Sequence, residues 1–353
     1  MKSIDLLKKL ITFRSSSLEQ ANEAIVFISK YLESNGIYGD ILENNGYYSY
    51  ITTIGKGKKT LVLNGHLDVV SGKDEQFIPI VKNDRMIGRG TADMKSGCVA
   101  MIQSIIRLKD ENLESKIMLQ LVTDEEIGGM NCTKYLVEEG YLGDFVICTE
   151  PTNLSISIQA KGIIRIDVIS KGKSAHGSRP WEGENAIIKA YENYKAIKAL
   201  EILNKGSEYY EKSSVNLAFI NGGDIYNRVP DCSVMGFDIR YVPDINPHEI
   251  IENITNSIDG EIIIKSIEPG VYGLKENKYI QKLSESLKRI IPDTDVKFTA
   301  QHGGSDGRYY AEKGIPIVEF GPKGDHWHGD DEYVEIKSVK QLEEILVDFI
   351  KTF

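Results

Sequence analysis

The sequence predicts an α/β protein: a mixed, mostly parallel sheet sandwiched by helices, with a smaller α+β domain inserted into it. Short continuous apolar runs, KTLVLNGH, KIMLQLVTDEE and DFVICTE, alternate with helical patterns such as SGCVAMIQSIIRLK, which is the texture of buried strands joined by helical crossovers. After Pro151 the order changes to strand, helix, strand, strand, helix, strand, a βαββαβ succession of the ferredoxin-like kind. At 353 residues the chain is also longer than a single core usually grows, so about two domains are expected.

Taken in order, MKSIDLLKKLITFRSSS has apolar residues at helical spacing but is broken by Asp5, Lys8, Lys9 and Arg14, so it lacks the uninterrupted apolar stretch of a signal peptide. Residues 19–35 repeat apolar positions with a helical period and stop at Asn35-Gly36. The three strand runs and their helices follow, up to residue 158. Residues 159–268 form the inserted domain: strand GIIRIDVIS, helix ENAIIKAYENYKAIKALEIL, strands SVNLAFIN and SVMGFDIRYV, helix PHEIIENITNSI and strand EIIIKSI. From 269 to 353, a helix (KYIQKLSESLKRII), two short strands and a terminal helix (SVKQLEEILVDFIKTF) return to α/β texture and complete the first domain.

The formal charge of -10 opposes binding to phosphate backbones or anionic membranes, and no Lys/Arg block offsets it. No stretch is long enough to cross a bilayer. Cys98, Cys132, Cys148 and Cys232 show no C-x-x-C spacing and read as reduced core thiols. A cytoplasmic enzyme or binding protein is the expectation.

Each of the three apolar runs ends on potential ligands: His66 with Asp68, Glu125 with Glu126, and Glu150. In open α/β sheets ligands gather at the carboxyl ends of the strands, so these groups can converge on one crevice. In NGHLDVV, His66 and Asp68 are two apart, so on a strand both face one side and the acid can fix the imidazole tautomer; a turn aspartate beside a structural histidine is the plainer alternative. GRGTADMKSG has Asp93 where a third glycine would complete a dinucleotide cradle, and Lys95-Ser96 lacks the preceding glycine of a P-loop. Taken alone, Asp93 reads more readily as a helix N-cap. In TDEEIGG, adjacent acids repel unless cations neutralise them, and neighbouring side chains on an extended segment point apart, so Glu125 and Glu126 can take separate tasks; a solvated acidic turn is the alternative. HWHGDDEYVEI adds His326 and His328. This mixture of imidazoles and carboxylates suits zinc or a related divalent metal. Two metals sharing a carboxylate need five ligand residues, which His66, Asp93, Glu126, Glu150 and one C-terminal histidine supply.

In this order the motifs NGHLDVV, GRGTADMKSG, TDEEIGG, CTEPT, GKSAHGSRPWEGENAI, NRVPDCSVMGFDIR, GGSDGR and HGDDEYVEI resemble the di-zinc family of acetylornithine deacetylase, succinyl-diaminopimelate desuccinylase, aminoacylases and glutamate carboxypeptidases. The resemblance runs over nearly the whole chain. It implies a zinc-peptidase-like catalytic domain with the inserted domain as lid and dimerisation surface, and two Zn2+ ions for which Co2+ or Mn2+ can substitute. It places His66 and Glu150 on the first metal, Asp93 between the two, and Glu126 with His328 on the second, His326 being the fallback. It makes Asp68 the acid behind His66, Glu125 the general base that takes a proton from the attacking water and returns it to the leaving amine, and His176 the oxyanion donor, supplied across a homodimer. It also implies a cis peptide after Asp93.

For the substrate carboxylate the resemblance points to Arg240, Asn227, Lys161 and the loop carrying Gly304 and Ser305, with Arg179 and Arg308 nearby; Arg240 reads equally as a strand-surface charge. Desuccinylases of this kind often have a threonine where this chain has Gly304, which removes a hydroxyl. The implied activity is removal of an acyl group from an N-acyl amino acid. A dipeptidase or carboxypeptidase would use the same metals and base, and a metal-dependent binding protein without turnover would have no use for Glu125.

Overall fold

The computed structural model describes all residues, 1–353. The chain divides into two compact units, one of Met1–Ile158, Gly273–Thr299 and Ser305–Phe353, the other of Gln159–Tyr272 with Ala300–Gly304.

The first unit opens with α1 (Ser3–Ile11) and α2 (Leu18–Ser34), the second started by the Ser17 hydroxyl, which accepts the Gln20 N–H. An antiparallel hairpin follows, β1 (Asp40–Asn44) and β2 (Tyr47–Ile54), turning through Asn45 and Gly46 at positive φ. Then come β3 (Thr60–His66), the short pair β4 (Ile80–Lys82) and β5 (Arg85–Ile87), α3 (Ser96–Leu108), β6 (Lys116–Val122), α4 (Thr133–Glu138), β7 (Phe145–Cys148) and β8 (Ile156–Ala160). Strand β3 is paired in parallel with β6 on one side and β7 on the other. The carboxyl ends of the three apolar runs therefore lie along one edge of the sheet.

In the second unit, β9 (Gly162–Lys171), α5 (Ala186–Ala199), α6 (Glu201–Asn204), β10 (Ser214–Gly222), β11 (Cys232–Tyr241), α7 (Pro247–Ser257) and β12 (Glu261–Glu268) build a four-stranded antiparallel sheet in the order β10-β11-β9-β12. Alternate residues Ile164, Ile166 and Val168 of β9, and Met235, Phe237 and Ile239 of β11, form its core with Ala190 and Ile197 of α5 and Ile250 and Ile254 of α7. That is the two-residue period of strands meeting the apolar stripe of helices. The long helical run expected from 184 to 203 is broken at Leu200, and Asn204 Nδ2 caps the exposed Lys198 and Leu200 carbonyls.

The chain returns through β13 (Val271–Tyr272), α8 (Lys278–Ile290), β14 (Phe298–Gln301), α9 (Gly307–Glu312), β15 (Ile317–Glu319), the short β16 (Gly324–Asp325) and β17 (Tyr333–Glu335), and α10 (Ile336–Thr352). β15 adds to β7 in parallel and β8 to β15 antiparallel; β1 and β2 run antiparallel at the other side. The sheet is thus mixed with a parallel centre. α10 packs on α3 and α8. The sequence reading closed the insertion at 268, whereas 269–272 and 300–304 pack with the second unit: Val271 pairs with Ala160, and the Gln301 carbonyl accepts from Lys161 N–H and Tyr210 OH. Of the four cysteines three are buried, but Cys232, expected in a core, is exposed at the start of β11.

Helix α3 is buried along nearly its whole length, and a Cβ on Gly97 would run into the Thr149 carbonyl oxygen next to Glu150. Gly97→Ala should therefore destabilise the protein by about 1–3 kcal/mol through overpacking against backbone that cannot yield, read as a lower urea midpoint at unchanged slope.

Candidate active site

His66 is the last residue of β3 and is buried, 1% exposed. Its Nδ1 lies 2.9 Å from the Asp68 backbone carbonyl and 3.5 Å from the Asp68 carboxylate. The backbone carbonyl, rather than the carboxylate expected from the sequence, is the closer partner, because β3 ends at His66 and Asp68 lies beyond the strand. The Nδ1 proton is held there, so Nε2 is the nitrogen offered to the acids in front of it. That Nε2 faces Asp93 Oδ1 at 3.1 Å and Glu150 Oε1 at 3.8 Å.

Asp93 has a second side. Its Oδ2 is 3.3 Å from His328 Nε2, which is also 3.3 Å from Glu126 Oε2. Two groups of candidate donors therefore share Asp93: His66, Asp93 and Glu150, and Asp93, Glu126 and His328, each with its donor atoms within 4.8 Å of one another. His326, the fallback, instead pairs with the exposed Asp331 at 2.8 Å. The Asp93-Met94 peptide is cis. Burial alone would raise the Asp93 pKa, but hydrogen bonds to His328 and His66 outweigh it and hold the carboxyl below its ordinary range. The His328 imidazole is pushed up to about 10, chiefly by Asp93 and then Glu126. His66 also rises well above its ordinary value: burial opposes this, and Asp68, Asp93 and Glu150 prevail.

Glu125 and Glu126 sit on a single turn after β6, Glu125–Ile127. Glu126 N–H donates to Asp68 Oδ2 at 3.0 Å, and its carboxylate turns to His328. Glu125 has no such cation beside it. Burial raises its pKa well above the usual carboxylate value; His66 opposes this, while Asp306, Asp93 and Asp68 add to it. Asp124, the third acid of the run, is structural: it is buried, and it accepts the Asn131 N–H at 2.6 Å through its side chain and the Gly129 N–H at 2.7 Å through its carbonyl. The turn is clamped from outside by α9. Arg308 Nη2 donates to the Gly128 carbonyl at 2.8 Å, Tyr309 OH donates to the same oxygen, and Asp306 accepts from the Thr133 hydroxyl. Arg308, placed near the substrate by sequence, is thus a buried brace of the base loop.

The sequence reading gave no role to Arg89 and Glu332, which are 3% and 1% exposed. Glu332 Oε2 accepts from Arg89 Nη1 at 2.8 Å and Gly90 N–H at 3.0 Å, and Oε1 from Ala92 N–H at 2.9 Å and Asp93 N–H at 3.1 Å. Arg89 Nη2 reaches on to the His328 carbonyl at 3.1 Å. The signal in the sequence was an arginine between two glycines and an acid pair behind a histidine, each plain by itself.

In the second unit, His176 is exposed. The Ser178 N–H donates to its Nδ1 at 3.1 Å, so the neutral ring carries its proton on Nε2 and presents it as a donor. The adjoining Gly177 N–H bonds the Asn227 carbonyl at 2.7 Å, so these two candidate residues share one loop cluster. Arg240 and Lys161 already have partners: Arg240 Nε donates to Asp238 at 2.6 Å, and the buried Lys161 Nζ donates to the Lys212 carbonyl at 2.7 Å. Gly304 ends the returning segment of this unit, and Ser305, buried, begins the turn into α9, where its hydroxyl accepts the Gly307 N–H at 3.3 Å.

The donors fit a pair of divalent cations. A buried imidazole that presents Nε2 to two acids, a second imidazole and three carboxylates form two groups joined at one carboxylate, which is nitrogen and oxygen chemistry suited to zinc or a related metal. A model of peptidase family M20/M25/M40 matches residues 62–352. The chain belongs to this family. It is a metallo-hydrolase of the M20 group, and no helix in it is long and apolar enough to cross a membrane. It is similar to a probable succinyl-diaminopimelate desuccinylase of Staphylococcus aureus (26% identical, covering 99% of this chain and 98% of that protein) and to a succinyl-diaminopimelate desuccinylase of Ehrlichia ruminantium (27%, covering 99% and 97%). Among solved structures it shares the fold of aminopeptidase PepT from Bacillus cereus (TM-score 0.85, 20% identity, covering 99% and 97%). The same holds for the YXEP protein of Bacillus subtilis, described as a dinuclear metal-binding peptidase (TM-score 0.70, 15% identity, covering 99% and 98%).

Because carboxylates raise both candidate histidines, the metal-free M20 chain holds protons at neutral pH that a metal must displace. Zinc titrated into metal-free protein at pH 7, in two buffers of different ionisation enthalpy, should give net proton release. The apparent affinity should rise with pH towards about 10, where His328 no longer carries its proton.

Proposed function

We propose that this M20 hydrolase cleaves the amide bond of an N-acyl amino acid, in the manner of acetylornithine deacetylase or succinyl-diaminopimelate desuccinylase. The observation that carries the reading is the Asp93 carboxylate facing two imidazole nitrogens at 3.1 and 3.3 Å, with Glu125 next in sequence to the ligand Glu126. His66, Asp93 and Glu150 would hold one Zn2+ and Asp93, Glu126 and His328 the other, with Co2+ or Mn2+ able to substitute. When bound, such a pair supplies positive charge that acidifies water and stabilises a developing oxyanion. Glu125 takes the proton of the attacking water and hands it to the leaving nitrogen, a task that suits a carboxyl raised by burial towards the working pH. Asp68 fixes His66 and, through the Glu126 N–H, the base turn as well.

The second unit is proposed as a ferredoxin-like lid and dimerisation domain over residues 159–268, within which His176 supplies the oxyanion donor from its Nε2–H across a homodimer. The two edges of its sheet support pairing through β10. Both edge strands carry a register irregularity, at Leu217/Phe219 in β10 and at Ile264/Ser266 in β12, but β12 also carries Glu261, Lys265 and Glu268. β10 has no charged residue and exposes Phe219 and Ile220. Edges left bare of charge invite a partner strand, and charged edges repel one. Asn227 and Arg240 are proposed as substrate contacts together with Lys161, Gly304 and Ser305. For Arg240 the Asp238 partner must share its guanidinium with the substrate carboxylate. The protein is expected to work in the cytoplasm.

The relatives named desuccinylases favour an acylated amino acid over a dipeptide. Gly304, without the hydroxyl that a threonine would offer, points away from a strict preference for succinyl-diaminopimelate. Kinetics on acetyl-ornithine, succinyl-diaminopimelate and simple dipeptides, with the metal content measured alongside, test the reading; equal and feeble turnover of all three would count against it. Glu125→Gln should leave two metals bound and lower kcat by about 100-fold or more, the scale of general acid-base catalysis; a variant of ordinary activity removes Glu125 from the mechanism. Sedimentation should give a dimer. A monomer that turns over normally is incompatible with a His176 acting from a partner.

A further inference from the structure

The sequence GRGTAD lacks a phosphate cradle, yet its backbone does cradle an anion, and the anion is internal. The N–H groups of Gly90, Ala92 and Asp93 all point at the Glu332 carboxylate, at 3.0, 2.9 and 3.1 Å, and Arg89 Nη1 supplies a fourth donor at 2.8 Å. A carboxylate has about four lone-pair sites, so every one is filled. Gly90 permits the wrap: its φ is +78°, and a Cβ there would press on Val69 and Lys95. Concave runs of backbone N–H of this kind hold phosphates in other proteins. Here the occupant comes from the far end of the chain.

That occupant is four residues from His328, and the bond network runs back to it. The Gly88 N–H donates to the Glu332 carbonyl at 3.0 Å, and Arg89 Nη2 donates to the His328 carbonyl at 3.1 Å. His328 itself sits at φ +61°, a region that non-glycine residues seldom occupy unless their surroundings impose it. Gln76 Nε2 adds a bond to the Gly329 carbonyl at 3.0 Å. One buried ion pair therefore grips both the loop of Asp93, the carboxylate common to both donor groups, and the segment of His328.

We propose that Glu332 and Arg89 are positioning residues for the metal pair: they set Asp93 and His328 in register before any cation arrives, so that the second metal position is assembled by an internal salt bridge rather than by the metal. The proposal rests on the two-metal reading above. Glu332 should matter for both positions because its N–H cradle ends at Asp93. Arg89 should matter most for the second, because its outer nitrogen holds the His328 carbonyl.

Isothermal titration of metal-free protein with Zn2+, alongside melting curves, reads this without recourse to turnover. Glu332→Gln should weaken both sites by roughly 10–100-fold, the usual consequence of losing the partner of a ligand. Arg89→Lys keeps the charge but loses the fork; it should weaken the second site by about that factor and leave the first nearly unchanged. Wild-type affinities at both sites in either folded variant, even with a lowered melting temperature, would reduce the pair to a structural role and overturn the proposal. A measurement on the unaltered protein covers variants that fail to fold. Hydrogen exchange over residues 88–95 should be slow in metal-free protein, and fast exchange that becomes protected only when Zn2+ is added contradicts assembly in advance. A wild-type chain that takes up no metal would instead remove the two-metal reading itself.

Discussion

Five carboxylates, Asp68, Asp93, Glu125, Glu126 and Glu150, and two imidazoles, His66 and His328, gather at the carboxyl edge of one parallel sheet, and their mutual repulsion is the constraint around which the first unit is organised. Removing a carboxylate from water costs several kcal/mol unless a charge or hydrogen bonds replace the water. Parallel pairing of β3 with β6 and β7 makes the crowding unavoidable, because the three strands run the same way and end within two residues of one another in register. The protein answers it with imidazoles between acids, with N–H groups on Glu332 and Asp124, and with two donor groups, joined at Asp93, of a kind that suits divalent cations.

The pattern of hydrogen bonds separates acids that serve the scaffold from acids that serve chemistry. Glu332 is saturated by four donors, and one oxygen of Asp124 is engaged by the Asn131 N–H. By contrast Asp93, Glu126 and Glu150 meet mainly imidazole nitrogens. A carboxylate with all its lone pairs bound has nothing left for a metal; one that faces only a protonatable ring exchanges that proton for a cation. The same logic turns the SDGR segment inward. Arg308 Nη1 donates to the Ser305 carbonyl, and Arg308 Nη2 and Tyr309 OH both donate to the Gly128 carbonyl, which fixes the turn that carries the base.

Much of this was legible in the sequence. The strands ending at His66 and Val122, the helix from Ser96, the terminal helix and all five candidate ligands could be read because buried parallel strands are uninterrupted apolar runs and because imidazoles beside strand-end acids are scarce. The hairpin of β1 and β2 and the short strands β4, β5, β16 and β17 escaped, since three-residue strands such as Ile80–Lys82 have no period to read. The extent of the second unit was misjudged at its far side: Ala300–Gly304 joins it through backbone bonds to Gln301 that no side-chain pattern announces. Arg89 and Glu332 stayed hidden for a related reason. Their partnership spans more than two hundred residues, and most of Glu332's donors are backbone N–H groups, which every residue possesses.

The adjacency of Glu125 and Glu126 shows how a fold can give two identical side chains different chemistry. They share one turn and are both half-buried, so composition cannot distinguish them. What differs is the surroundings of each carboxylate. The Glu126 carboxylate is turned to His328, which offers it positive charge, and its N–H is fixed on Asp68. For Glu125, burial first and then Asp306, Asp93 and Asp68 make the ionised form harder to keep, against the opposing charge of His66. A carboxylate paired with an imidazole holds its lone pairs ready for a ligand bond, whereas one raised by burial holds a proton more readily and can pass it on. Unequal surroundings within one turn divide ligand from base here, and the bonds from Arg308 and Tyr309 to the Gly128 carbonyl hold that turn in place.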